Sequence, residues 1–317
     1  MTQQPTVAVI DVGSNSIKLL VACRGEAPDS VTTRFAETIE TRISEGISKA
    51  VPRLNEKAIR EGCATIAELV RLAREYHPSE IRIVATSAVR DAVNGDEFRE
   101  QVSALTGIDI RILTGHEEAT YIGKGLAADP HVAGIRDFIQ MDIGGGSLEL
   151  IRFRAARIDQ AISLQLGAVR MTERFVENRD EPVSPETEAR LQAHVRDELA
   201  RSGFAFTPVE APLIATGGTF VISRAILAAE AGITLEDRSP VVQRAEITRL
   251  KKKLAHLPLH ERMAVPHLPA ARADIFPAAL ATVEQVMRSA GRETLTHSFY
   301  NLRYGIASAM LAPKNPA

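Results

Sequence analysis

One feature of the chain constrains its fold more than any other: a short Asp-led turn occurs twice. Asp11 to Leu20 reads DVGSNSIKLL and Asp142 to Leu150 reads DIGGGSLEL. Asp11 and Asp142, Gly13 and Gly144, Ser16 and Ser147, Leu19 and Leu150 fall at one constant offset. Each turn has a short apolar run on either side, Val7 to Ile10 and Ile17 to Ala22 in the first case, Phe138 to Ile143 and Leu148 to Phe153 in the second. Apolar runs joined by a Gly/Ser/Asn turn read as a β-hairpin. A chain that makes the same hairpin twice points to a duplicated domain.

The pattern around each hairpin agrees. After the first, apolar residues at 59, 63, 66, 70 and 73 give a helical stripe within Glu56 to Glu75. A strand at Ile81 to Ala85, a helix around Phe98 to Leu105, a strand at Ile108 to Leu113 and a helix over 119–128 follow. After the second come a strand near Ile158 to Leu164, a long helix near Glu186 to Leu199 and a buried strand at Leu213 to Ala215, which ends at Thr216-Gly217-Gly218-Thr219. The remainder, to about Leu311, reads as mostly helical. Strands alternating with helices place the chain in the α/β class, as two domains that each open on a hairpin.

The 317 residues suffice for two such cores. Charge is balanced at −2, there is no Trp, and aromatics make up 4%, which argues against nucleic acid as a partner. The basic run Lys251-Lys252-Lys253 reads as a solvated helix face. No apolar run approaches the roughly 20 residues of a membrane helix, and MTQQPTVAVID lacks the pattern of a secretory signal. Cys23 and Cys63 are lone thiols without metal-ligand spacing, so buried, inert cysteines in a cytoplasmic protein are expected.

A Gly/Ser-rich turn can aim several backbone N–H groups into one concavity that favours anions. Gly13, Gly144, Gly145 and Gly146 let a phosphate oxygen approach without a Cβ in the way. Ser14, Ser16 and Ser147 add hydroxyls and Asn15 an amide. Asp11, Asp142 and Glu149 cannot bind phosphate themselves; their natural partner is Mg²⁺, with Mn²⁺ the alternative, bridging carboxylate to phosphate. Two such turns could hold neighbouring phosphates of one substrate. A lone glycine turn is more often only a tight hairpin; two matched copies favour a site.

Two further segments follow strands. In Thr114-Gly-His-Glu-Glu-Ala119, Thr114 and Glu117 form the S/T-x-x-E capping pattern, which gives Glu117 a structural task. Glu118 has none, and lies where ligands bind in α/β sheets. It could orient a water as a general base, or simply favour the helix dipole by ~0.3–1 kcal/mol. Spacing does not choose between these. In Ala85-Thr-Ser-Ala-Val-Arg-Asp91, Arg90 could fork onto phosphate or pair with Asp91 or Asp96 at the surface. His116 has no partner at ligand spacing and reads as a loop histidine.

Taken together, DVGSNSIKLLV, ATSAVRDAVN, TGHEEA, DIGGGSLEL, SLQLGAVRMTERF and ATGGTF resemble the exopolyphosphatase/guanosine pentaphosphate phosphatase (Ppx/GppA) family over almost the full length. The resemblance implies two duplicated actin-like (ribonuclease H-like) domains with an interdomain cleft: residues 1–124 with a C-terminal segment of about 300–317 returning to them, and residues 125–299. It implies that Glu118 is the catalytic glutamate, that Asp142, Gly144 and Glu149 serve metal and phosphate, and that Arg90 and Ser147 contact phosphate. Asp11 stays a metal candidate beside them, and Gly217, Gly218 and Thr219 are further phosphate-binding candidates. Hydrolysis of the terminal phosphate of linear polyphosphate, Mg²⁺ dependence and a homodimer follow as expectations. Leu302-Arg-Tyr-Gly-Ile stands where the family has Leu-Arg-Glu-Gly, the stretch after Thr33 matches only around Gly46, and no His-Asp dipeptide of an HD-type domain occurs. The chain is similar to the short, two-domain branch.

Alternatives are distinguishable. Guanosine pentaphosphate would be the substrate if the site also held a base, for which the sequence shows no pocket. A kinase or ATPase of the same superfamily would place Thr216-Gly217-Gly218 near a nucleotide, and the TGHEEA carboxylate argues against it. A non-catalytic sensor would bind guanosine tetraphosphate or pentaphosphate without releasing phosphate.

Overall fold

The structure, a computed structural model, describes residues 5–26, 30–47, 51–132, 134–208 and 210–312. The chain forms two compact units, Met1–Gly134 with Tyr300–Ala317, and Ile135–Phe299. The division falls later than the sequence boundary at 124/125. The helix that carries the TGHEEA segment runs unbroken to Ala127, and the chain turns instead at Gly134, whose φ of 88° is left-handed. Residues 1–4, and 313–317 of the expected returning segment, lie outside the described residues.

In the first unit the order is β1 (Thr6–Val12), β2 (Ser16–Arg24), β3 (Val31–Glu40), α1 (Glu56–Arg74), β4 (Glu80–Ala85), α2 (Ser87–Asp91), α3 (Gly95–Thr106), β5 (Ile110–Ile112) and α4 (Gly115–Ala127). The second unit runs β6 (Phe138–Ile143), β7 (Leu148–Arg154), β8 (Arg157–Leu164), α5 (Ala168–Phe175), α6 (Pro185–Arg201), β9 (Leu213–Thr216), α7 (Gly218–Glu230), β10 (Val241–Gln243), α8 (Arg244–Ala255), α9 (Leu259–Met263), α10 (Phe276–Ser289) and β11 (Thr294–His297). The last helix, α11 (Leu302–Leu311), packs on α4 and on β1 and β2 of the first unit.

The sheets repeat one another. The first has the order β3-β2-β1-β4-β5; the second, read from the matching edge, has β8-β7-β6-β9-β11-β10. In each, an antiparallel three-strand meander continues into parallel strands, β1-β4-β5 and β6-β9-β11. The second adds β10 at its edge. Both turns therefore sit at the carboxyl end of a parallel strand, where α/β sheets bind ligands.

Local chemistry accounts for the elements. The helical stripe of α1 is wholly inside: Ile59, Cys63, Ile66, Val70 and Ala73 are all buried, and each buried Ile or Val contributes about 1.5–3 kcal/mol. Asn55 caps that helix by accepting from the Ala58 amide at 2.8 Å. Ser184 caps α6, with Pro185 opening it. Cys23 and Cys63 are both buried thiols.

The stretch after Thr33 begins within strand β3, whose outer residues are exposed. Two expectations need correction. The carboxyl-terminal part holds two short strands, β10 and β11, besides helices; runs of three and four residues carry no detectable period. Lys251 is not solvated. It is 3% exposed and shares the buried face of α8 with Ile247 and Leu254, and its ammonium pairs with Glu188 of α6 and Glu284 of α10. No described helix is long and apolar enough to cross a membrane.

Candidate active site

In the first unit three carboxyl-edge segments converge. The β1–β2 turn closes by Gly13 N–H donating to Ser16 O at 3.2 Å. Its carbonyls are taken from behind: Thr41 and Arg42 donate to Asn15 O, and Ser44 to Ser14 O. Asn15 Nδ2 donates to Glu40. Ser14 Oγ lies 3.1 Å from Ser87 Oγ of α2, and one turn along that helix Arg90 reaches Glu118 of α4, Nη1 to Oε2 at 3.1 Å. Arg90 Nη1 also donates to Leu113 O at 2.8 Å. Its surface pairing is weaker: Asp91 is 3.9 Å from Nε, and Asp96 pairs with Arg99 instead.

The two acids of the TGHEEA segment are separated as their chemistry demands. Glu117 completes a capping box with Thr114 and pairs with Arg111, and the Thr114 amide above all holds its carboxyl at about 2. Glu118 is 7% exposed and turned inward beside Arg90. His116, expected in a loop, lies instead in the first turn of α4, where its carbonyl accepts from Thr120.

Asp11 is buried, and burial raises its carboxyl while the charges of Lys18 and Arg303 pull it down. Lys18 is its cross-strand partner in the hairpin. Neither cation was singled out from the sequence. Lys18 could have been, because a two-strand register places position 18 opposite 11.

The second turn is built alike. Gly144 N–H donates to Ser147 O at 3.0 Å. Here the carbonyls face the amino end of α5: Ala168 donates to Gly144 O, Val169 and Arg170 to Gly145 O, and Gly167 to Gly146 O. Arg170 adds Nε to Gly146 O at 3.0 Å. A Cβ on Gly167 would stand 2.4 Å from the Gly145–Ser147 backbone, so only glycine fits beneath the turn. With the carbonyls engaged on one side, and no described carbonyl accepting from the Gly145, Gly146 or Ser147 amides, the turn has the form of an anion-binding nest. The signal for this support lay in SLQLGAVRM, whose role the sequence did not disclose.

Asp142 and Glu149 are cross-strand partners on one face of β6–β7, which sets their Cβ atoms about 4.5–5.5 Å apart. Thr216 Oγ1 donates to Asp142 Oδ2 at 2.6 Å, and Ser163 Oγ to Glu149 Oε1 at 2.8 Å. Gly217, at φ 103°, brings the chain so close that a Cβ would lie 2.6 Å from Asp142 Oδ1. Gly218 and Thr219 open α7, and Arg272 packs against Gly218. Among the described residues no group of three or more His, Cys, Asp or Glu is gathered to cage a metal. A carboxylate pair suits Mg²⁺ nonetheless, since that ion is held by one or two carboxylates together with substrate phosphates and water.

A duplicated α/β sheet with a phosphate-type turn at the carboxyl edge of each copy defines a protein of the actin-like class. A sequence profile of the Ppx/GppA phosphatase family matches residues 24–313, and the chain belongs to that family. Solved structures agree on the fold. An exopolyphosphatase from Cytophaga hutchinsonii superposes with a TM-score of 0.86 at 25% identity, over 96% of this chain and 97% of that one. The Ppx/GppA family member of Aquifex aeolicus gives 0.77 at 23% identity, covering 99% of both chains. An exopolyphosphatase-like protein gives 0.85 at 23%, over 96% and 97%. The chain is thus a phosphatase by family.

Proposed function

We propose that this protein is an exopolyphosphatase, hydrolysing the terminal phosphoanhydride bond of linear inorganic polyphosphate with Mg²⁺. The observation that carries the reading is the placement of Glu118: a buried carboxylate in the first turn of α4, 3.1 Å from Arg90, in a segment that also brings Ser87 to Ser14 of the first turn. A carboxylate so held can align a water and accept its proton. Arg90 can donate an N–H hydrogen bond to a phosphate oxygen while keeping Glu118 in place.

Asp142 and Glu149 would hold the Mg²⁺, which would supply positive charge against the negative charge of the phosphate chain. The amides of Gly145, Gly146 and Ser147 would bind non-bridging phosphate oxygens. The leaving group is itself a phosphate of low basicity, so no strong acid is needed, and catalysis rests on positioning and electrostatics.

Phosphate release from tripolyphosphate, long polyphosphate, ATP and guanosine pentaphosphate, each with and without Mg²⁺, tests it. Release is expected from polyphosphate with Mg²⁺. Glu118→Gln should retain KM and lose about 10²–10⁴-fold in kcat, the range for a general base. Release from guanosine pentaphosphate alone would transfer the activity to that substrate, and unchanged turnover in Glu118→Gln would remove Glu118 from the chemistry.

A further inference from the structure

The segment Leu302-Arg303-Tyr304-Gly305, where the chain departs from its family, has a place in the first unit that its sequence did not reveal. It opens α11, capped by Asn301, whose side chain accepts from the Arg303 amide. Helix α11 meets α4 backbone to backbone. A Cβ on Gly305 would lie 1.7 Å from Tyr121 O and 2.9 Å from Gly125 N, and one on Gly125 would lie 2.3 Å from Asn301 O. Helix axes ordinarily pack 8–10 Å apart according to the side chains between them; here glycine on both sides removes the spacer.

The contact lies on the functional face of α4. Glu118, Ile122 and Gly125 are all buried and follow the i, i+4, i+7 rule, and the glycine crossing, from Tyr121 to Gly125, runs from about 4.5 Å to about 10 Å along the axis from Glu118. From the same first turn of α11, Arg303 reaches the other half of the site: its Nη1 donates to Leu19 O of β2 at 3.0 Å, and its charge acts on Asp11 of β1. Tyr304 holds the helix to β3 through Thr33, and Arg24 grips its far end at Leu311 O.

We propose that α11 is the positioning element of this site: Gly305 and Arg303 set the distance between the Glu118 carboxylate and the first phosphate turn. The proposal rests on the hydrolase reading above. Neither residue touches the reacting atoms. Each acts through another, Gly305 through α4 and Arg303 through the β1–β2 hairpin. Misplacing a reacting group by about 1 Å from a distance can cost 10²-fold in rate.

The test is a double-mutant cycle on tripolyphosphate hydrolysis in the full chain with Mg²⁺. Gly305→Ala is expected to lower kcat on the order of 10²-fold with KM within about twofold. In a Glu118→Gln background the same substitution should cost little more, because the group it misplaces is already gone. Additive losses, a loss expressed in KM, or full activity in a folded Gly305→Ala protein would overturn the proposal. Should Gly305→Ala fail to fold by circular dichroism, Arg303→Met and Arg303→Lys decide: the first should lose kcat and the second recover most of it, and equal activity in both overturns the role of Arg303. A wild-type protein that releases no phosphate from any polyphosphate would fell the hydrolase reading and the proposal together, whereas an active wild type with an additive cycle fells the proposal alone.

Discussion

The two hairpins share their closing hydrogen bond and their place in the sheet, yet they differ in the cross-strand pair beside the turn. Asp11 faces Lys18 in the first unit; at the same register in the second, Asp142 faces Glu149. In the first, an acid is balanced by a base across the strand, with Arg303 adding to it. In the second, a second acid stands where the base would be. Like charges directly opposite on one face destabilise a sheet, and a bound cation would offset that repulsion. The comparison teaches that the duplication copied a backbone, and that side chains then assigned the roles. The acid of the first turn faces the charges of Lys18 and Arg303, whereas the second turn carries two facing acids. We propose the second as the seat of a metal, on Asp142 and Glu149 in preference to Asp11.

The largest expected effect follows from that asymmetry. Asp142→Asn or Glu149→Gln should reduce Mg²⁺-dependent turnover by on the order of 10³-fold, the several kcal/mol a bound metal contributes to stabilising transition-state charge. The Mg²⁺ concentration at half-maximal rate should rise with it. Asp11→Asn should leave that midpoint in place, because its carboxylate already faces the charges of Lys18 and Arg303. Magnesium titrations of the three variants break the comparison if Asp11→Asn shifts the midpoint as far as the others.

Much of this was legible in the sequence, for physical reasons. The hairpins announced themselves because glycine turns between apolar runs have few alternatives. The Thr114–Glu117 cap was legible because capping is local. The duplication made the pairing of sheets readable in outline. Contacts between residues distant in sequence were not legible: Arg90 with Glu118, Thr216 with Asp142, Arg170 beneath Gly146 and Gly305 against Tyr121 are each products of packing. Lys251 was misread for the same reason. Three consecutive lysines look solvated until the helix they lie on acquires a buried face.

That lysine also sharpens the comparison, because it shows how the second unit treats an acid with no ligand to meet. Glu284 is fully buried, which would raise its carboxyl; hydrogen bonds from Lys251, Arg288 and Thr248 outweigh burial and hold it at about 2. An acid depressed in the folded state contributes stability above its unfolded value, about 4.3, and loses it as pH falls toward about 2. The contribution at neutral pH is on the order of 3 kcal/mol. Urea midpoints at pH 7 and pH 3 should fall steeply for the wild type and less for Glu284→Gln. Equal slopes would mean that Glu284 is not balanced this way, and the contrast with Asp142 and Glu149 would lose its reference.

The smallest effect on stability is expected at the turns themselves, and it separates structure from binding. A Cβ on Gly13 would stand 3.0 Å from Ser16 O, tighter than an ordinary contact, whereas one on Gly144 would stand 3.7 Å from Ser147 O, an ordinary van der Waals distance. Gly13→Ala should therefore cost about 1 kcal/mol, a usual value for a strained substitution. Gly144→Ala should melt within about 0.5 kcal/mol of the wild type, since nothing in the fold opposes the methyl group. A phosphate oxygen approaching the Gly144 backbone would oppose it. The rise in KM for polyphosphate should then be about tenfold, the worth of one hydrogen bond at about 1.4 kcal/mol. Because the fold is indifferent to that methyl group, its effect on KM reports ligand approach and nothing else. A Gly144→Ala protein with unchanged melting and unchanged KM would show that no phosphate comes near this turn.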